Sequence, residues 1–104
     1  MATGKTRRSG APVAEKDREL QTPRMYRVLL HNDNYTTMEF VVAVLEMVFT
    51  KPRDEAVRIM MNVHQQGVGL CGVYTHEVAE TKVSQVHEHA REYEFPLRCS
   101  MEPE

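Results

Sequence analysis

The tightest constraint on this chain is a change of hydrophobic period between Met25 and Phe49. Tyr26, Val28 and Leu30 alternate with Arg27, Leu29 and His31, the period of a half-buried strand. The polar cluster His31-Asn32-Asp33-Asn34-Tyr35 then breaks that period with residues that favour turns. Thr36-Thr37-Met38-Glu39 fits a capping box, with Thr36 as N-cap and Glu39 reaching back to it. Met38, Val41, Val42, Leu45 and Phe49 follow at helical spacing. A strand that turns through an Asx-rich loop into a capped helix is the expected start of the fold.

The remaining apolar pattern predicts four further elements. Thr50-Lys51-Pro52 marks a break, with Pro52 suited to a first helical turn. Ala56, Ile59, Met60 and Val63 form the stripe of a second helix that Gly67 ends. Residues 68–74 read as a strand despite Gly69 and Gly72. Thr75 caps a third helix, with Glu77 and Glu80 in its first turn and Ala79, Val83, Val86 and Ala90 as its stripe. Phe95, Leu97, Cys99 and Met101 alternate with Pro96, Arg98, Ser100 and Glu102, a last strand. The order β-α-α-β-α-β predicts an α+β fold, a three-stranded antiparallel sheet with three helices on one face.

At 104 residues the chain supports one domain with a core that needs neither disulfide nor metal. Residues 1–24 carry six basic and three acidic side chains and almost no large apolar residue, so they read as a flexible arm. The body, 25–104, holds seven bases against twelve acids. A net charge of −2 with an acidic body disfavours nucleic acid as a partner. No stretch approaches the roughly 18 apolar residues of a membrane span, and the first residues lack the apolar centre of a signal peptide. A cytoplasmic location is expected. Cys71 and Cys99, far apart and without CxxC spacing, read as reduced, small hydrophobes.

Nothing in the sequence reads as catalytic machinery. The five histidines contain no HExxH, and His87 and His89 point to different sides of one helix, so no metal is expected. Phosphate loops and nucleophile elbows are absent as well. The chain reads as a binder that takes no cofactor. Taken alone, Asn32-Asp33-Asn34 would stabilise a turn, His64 would favour a helix C-terminus, and Met38, Met60 and Val63 would be core.

Their order along the chain is more telling. Tyr26-Arg27-Val28-Leu29-Leu30 followed by Asn32-Asp33-Asn34-Tyr35-Thr36-Thr37-Met38-Glu39-Phe40-Val41-Val42 resembles the signature of the ClpS adaptors, usually written NDDYTPMEFV. Met60-Met61-Asn62-Val63-His64-Gln65-Gln66-Gly67, the run from Cys71 to Lys82, and Glu94-Phe95-Pro96-Leu97 are similar to three more blocks of that family. The resemblance implies an adaptor that binds the free N-terminal Leu, Phe, Tyr or Trp of a substrate and delivers it to the ClpA unfoldase for degradation by ClpP. It implies that Asn32, Asp33, Asn34 and His64 hold the substrate amine. Leu30, Thr36, Met38, Val41, Met60, Val63 and Leu97 would line the side-chain pocket, with Met38 as gatekeeper. Tyr74, Thr75, Glu77 and Lys82 would dock on the N-terminal domain of ClpA, and the arm would enter the unfoldase.

Two positions depart from the pattern: Asn34 replaces the usual second aspartate, and Thr37 the usual proline. Asn34 keeps open an alternative, a ClpA-docking regulator with lost or narrowed N-degron binding, as in a divergent second copy. A small RNA- or ribosome-associated domain using the basic arm is the third reading. A monomer is the simplest expectation for an adaptor.

Overall fold

The computed structural model describes residues 22–104; the arm assigned to 1–24 lies outside them except for its last three residues. The described chain runs β1 (Met25–His31), α1 (Met38–Met47), α2 (Arg53–Gln66), β2 (Val68–Thr75), α3 (His76–Glu92), β3 (Arg98–Pro103). The expected β-α-α-β-α-β order and antiparallel three-stranded sheet are present, with β1 central in the order β2-β1-β3.

Alternation along β1 sorts the sheet into two faces. Val28 and Leu30 are fully buried, and their register partners Gly69, Cys99 and Met101 share that inner face. All three helices cover it: α3 packs across every strand, and α2 lies against β2 and α1. The outer face carries Arg27, Leu29 and His31 opposite Val73, Leu70 and Val68 on one side and Glu102, Ser100 and Arg98 on the other. There Arg27 pairs with Glu102 at 3.5 Å, and His31 Nε2 lies 2.6 Å from Ser100 Oγ. Burial pulls the His31 imidazole below its usual range, Arg98 adds to that, and Glu102 opposes it.

The helix ends differ from the sequence expectation in instructive ways. Thr37, not Thr36, caps α1: its hydroxyl accepts the Phe40 N–H at 3.1 Å, so Glu39 stands one position too early to close a capping box. The Thr36 hydroxyl instead donates to Asp33. Thr75 occupies the N-cap of α3 without a side-chain bond. Lys82 Nζ donates to the Val48 carbonyl at 2.7 Å, closing the end of α1. The last strand begins at Arg98 rather than Phe95. The Phe95 N–H is bonded to the Ala90 carbonyl, so the segment before Arg98 closes α3 while its ring packs on Phe40, centroids 4.8 Å apart.

Close approach of α2 to the sheet depends on Gly69. A Cβ there would lie 2.6 Å from Val63 Cγ2 and 3.3 Å from the Ile59 carbonyl oxygen. Val63 is β-branched and stiff, so the helix itself would have to shift. Gly69→Ala is expected to destabilise the domain by about 1–3 kcal/mol, the cost of overpacking. Urea unfolding checks this, and wild-type stability in the variant would show that α2 has room the packing denies it.

Candidate functional site

The turn after β1, the start of α1 and the end of α2 meet around one cavity. Its volume is about 230 Å³, and its walls are Asn32, Asp33, Asn34, Thr36, Met38, Val41, Met60, Val63 and His64. Residues far apart in sequence converge because the backbone N–H of Asn32 donates to the Gly67 carbonyl at 3.0 Å. Gly67 ends α2 in the left-handed region, φ 88°, and its own N–H returns to the Val63 carbonyl. That cap ties the last turn of α2, where His64 sits, to the first residue of the turn.

Helical spacing then grades the cavity from floor to rim. Met60, Val63 and His64 fall at i, i+3 and i+4 on one face of α2, and Met38 and Val41 do the same on α1. Val41, Met60 and Val63 are buried, whereas Met38 is 44% exposed. Asn32, Asn34 and His64 are exposed. The floor is apolar; the rim offers amide oxygens and an imidazole nitrogen, acceptors for a donor entering from solvent.

Asp33 is engaged within the turn. Its Oδ1 accepts the N–H groups of Tyr35 at 2.8 Å and Thr36 at 2.7 Å, and its Oδ2 accepts the Thr36 hydroxyl at 2.8 Å. Burial pushes its carboxyl upward, but the bonds from the Thr36 N–H, the Tyr35 N–H and the Thr36 hydroxyl outweigh that and hold it below its ordinary value. A carboxylate has about four lone-pair sites, so Asp33 still contributes negative charge and some acceptor capacity to the rim.

Not every expected residue reaches the cavity. Leu30 is fully buried and Leu97 is 4% exposed; both are packed in the core, and neither is among the lining residues. Inward alternation on β1 takes Leu30 beneath the helices, and Leu97 precedes β3 on the same side. Of the residues expected to dock on a partner, Thr75 and Glu77 line a second cavity of about 310 Å³ with Pro23, Arg24, Tyr26 and His76. Tyr74 is instead half-buried, stacked near Phe49 and 5.7 Å from the Lys82 ammonium. The sequence reading missed the part of Arg24 and His76 in that second cavity; two polar residues without periodicity gave no signal. Among the described residues no three His, Cys, Asp or Glu converge as a metal would require, and no helix is long and apolar enough to cross a membrane.

Residues 21–100 match the sequence profile of the ATP-dependent Clp protease adaptor protein ClpS. The chain belongs to the ClpS family. The ClpS of Desulfatibacillum aliphaticivorans is 60% identical over 95 residues, 91% of each chain. That of Hyphomonas neptunium is 56% identical over 103 residues, 98% of this chain and 87% of its own. Among solved structures, Agrobacterium tumefaciens ClpS2 bound to L-phenylalaninamide aligns with a TM-score of 0.77 at 40% identity, covering 79% of this chain and 99% of that one. This ClpS chain is therefore an adaptor of the ATP-dependent Clp protease.

The lowered Asp33 carboxyl fixes the sign of one pH effect. A depressed folded-state value contributes stability that is present above the ordinary carboxylate range and lost as pH falls through the folded value. The amide resonances of Tyr35 and Thr36 should therefore hold constant from neutral pH down to the ordinary carboxylate range and move only below it. Asp33→Ala should release both amides at every pH and cost about 1–2 kcal/mol, as loss of a capping side chain does. Unchanged resonances in that variant would show that the turn is held by something else.

Proposed function

We propose that this ClpS-family chain captures proteins by a free N-terminal Leu, Phe, Tyr or Trp and delivers them to a ClpA unfoldase for degradation by ClpP, performing no chemistry itself. The observation that carries the reading is the graded cavity: acceptors at the rim, apolar floor beneath. A free α-amino group, with a pKa of about 7.7–8.0, is mostly cationic at neutral pH. It needs oriented acceptors, which Asn32, Asn34 and His64 supply with the Asp33 charge beside them. About 230 Å³ exceeds the roughly 150 Å³ that accommodates benzene, so an aromatic or branched aliphatic side chain fits. The ligand of the Agrobacterium relative, L-phenylalaninamide, has a free amine, an aromatic side chain and an amide where a peptide would continue, which supports the same orientation here.

Unfoldase docking falls on the opposite end of β1. Seven residues of strand separate the two ends by roughly 20 Å, so substrate and unfoldase are held at once without overlap. Glu77 and Thr75 face the second cavity and are the contact residues in this reading; Lys82 and Tyr74 hold the corner behind them. Residues 25–104 act as the adaptor core, a monomer in the cytoplasm, and the basic arm before them enters the unfoldase.

Fluorescence polarisation of labelled peptides differing only at residue one tests capture. Phe, Leu, Tyr and Trp peptides should bind, Ile should not, and acetylation of the Phe peptide should abolish binding. A folded sample that binds none of them would point to a regulator that docks without delivering, the reading Asn34 keeps open. Asn34→Asp, which adds a carboxylate to the rim, should tighten the Phe peptide several-fold, the scale of a partly screened charged hydrogen bond. Equal or weaker affinity would show that the amide at this position is not what limits capture.

A further inference from the structure

The reactive sulfur atoms of the molecule are distributed unevenly around the capture cavity. Of the described methionines, Met38 and Met47 stand open, 44% and 58% exposed. Both belong to α1, yet only Met38 lines the cavity. Met60, in the same cavity wall, is 8% exposed. The two thiols are buried and unpaired. Burial pushes the Cys71 thiol far above its ordinary range, with Cys99 adding to it, and burial pushes Cys99 up to about 12. The thiolate is the reactive form of cysteine, so at neutral pH neither competes for an oxidant.

A methionine thioether is an apolar, adaptable surface, whereas its sulfoxide is polar and chiral. We propose that Met38 is a modification site, where a hydroperoxide oxidises the thioether to the sulfoxide and thereby shuts the cavity to apolar N-terminal side chains. The sulfur lone pair attacks the outer peroxide oxygen, forming the S–O bond as the O–O bond breaks. The departing oxygen takes up the proton that the attacked oxygen carried and leaves as water or an alcohol; sulfur loses two electrons and the peroxide gains them. With a guest in place the new oxygen either faces the apolar floor of Val41, Met60 and Val63, where it finds no donor, or turns to solvent and removes the wall Met38 provides. Both outcomes weaken binding of the side chain while leaving the amine-binding rim untouched. The inference rests on the capture reading above.

The test uses the full chain and hydrogen peroxide. Peptide mapping by mass spectrometry follows oxygen addition at each methionine, and polarisation follows a labelled Phe-starting peptide. Affinity is expected to fall about tenfold or more, the scale of leaving one polar group without a partner, in step with Met38 sulfoxide, and to recover on treatment with methionine sulfoxide reductases. Met47→Leu should lose affinity on oxidation as the parent does. Met38→Leu, compared with itself before and after peroxide, should show no loss. The inference is overturned if Met38 sulfoxide accumulates with affinity unchanged, if Met38→Leu loses as much as the parent, or if Met38 resists while Met47 is oxidised. Absence of binding before peroxide would overturn the capture reading and this inference with it, and the untreated sample tells that failure from the others.

Discussion

One backbone hydrogen bond makes a site out of segments that would otherwise be strangers: the Asn32 N–H to the carbonyl of Gly67. It joins the residue that leaves the central strand to the residue that ends α2. Because Gly67 adopts φ 88°, the chain reverses there and enters β2 beside β1, in register with it. The same bond brings the final turn of α2, with Val63 and His64, against the Asx turn. A residue with a Cβ at Gly67 would meet no atom within 4 Å, so what reserves this position for glycine is its left-handed backbone, not space.

The polar rim is shaped by hydrogen bonds that never touch a ligand. Asp33 ties down two amides and a hydroxyl, and the flanking Asn32 and Asn34 are thereby presented with their side chains free for other partners. This division of labour explains how exposed amides, which would otherwise sample many rotamers, become useful acceptors: fixing the backbone beforehand lowers the ordering cost that binding must meet. In the proposed capture of a free amine, the sequence NDN would then serve two roles, turn formation at its centre and recognition at its flanks.

Much of this was legible in the sequence, because periodicity reports on faces. Alternation at Tyr26, Val28 and Leu30 gave the inner face of β1, and the spacing of Met60, Val63 and His64 gave the cavity wall of α2. The failures have physical causes. Thr36 and Thr37 are adjacent and chemically alike, so only the competing Asp33 carboxylate decides which caps α1. Leu30 and Leu97 have the right chemistry for a pocket but lie too deep, and depth is not encoded in hydrophobicity. Thr50 and Glu94 adopt φ 55° and 61°, a left-handed conformation that glycine usually signals. At Glu94 the conformation is held by a Schellman closure, with the Phe95 N–H bonded back to the Ala90 carbonyl and the Glu94 N–H to the Arg91 carbonyl, partners that are backbone atoms no side chain announces. Lys82 looked like a solvated or docking charge, yet it reaches a carbonyl 34 positions away, a long-range pairing invisible to local pattern.

Magnitudes argue that neither half of the cavity suffices alone. Burying a Leu or Phe side chain on the apolar floor contributes about 1.5–3 kcal/mol, and each hydrogen bond from a charged amine about 1.5–3 kcal/mol net of its exchange with water. Micromolar affinity requires about 8 kcal/mol net of the lost freedom of association. An apolar residue lacking its free amine therefore falls well short, and so does an amine carrying a small or polar side chain. Internal sequences, which have side chains of every kind but no α-amine, are excluded by the same arithmetic. In the proposed capture, selectivity for chain ends would follow from placing a modest polar rim directly over a modest apolar floor, with the Asn32–Gly67 bond fixing the distance between them.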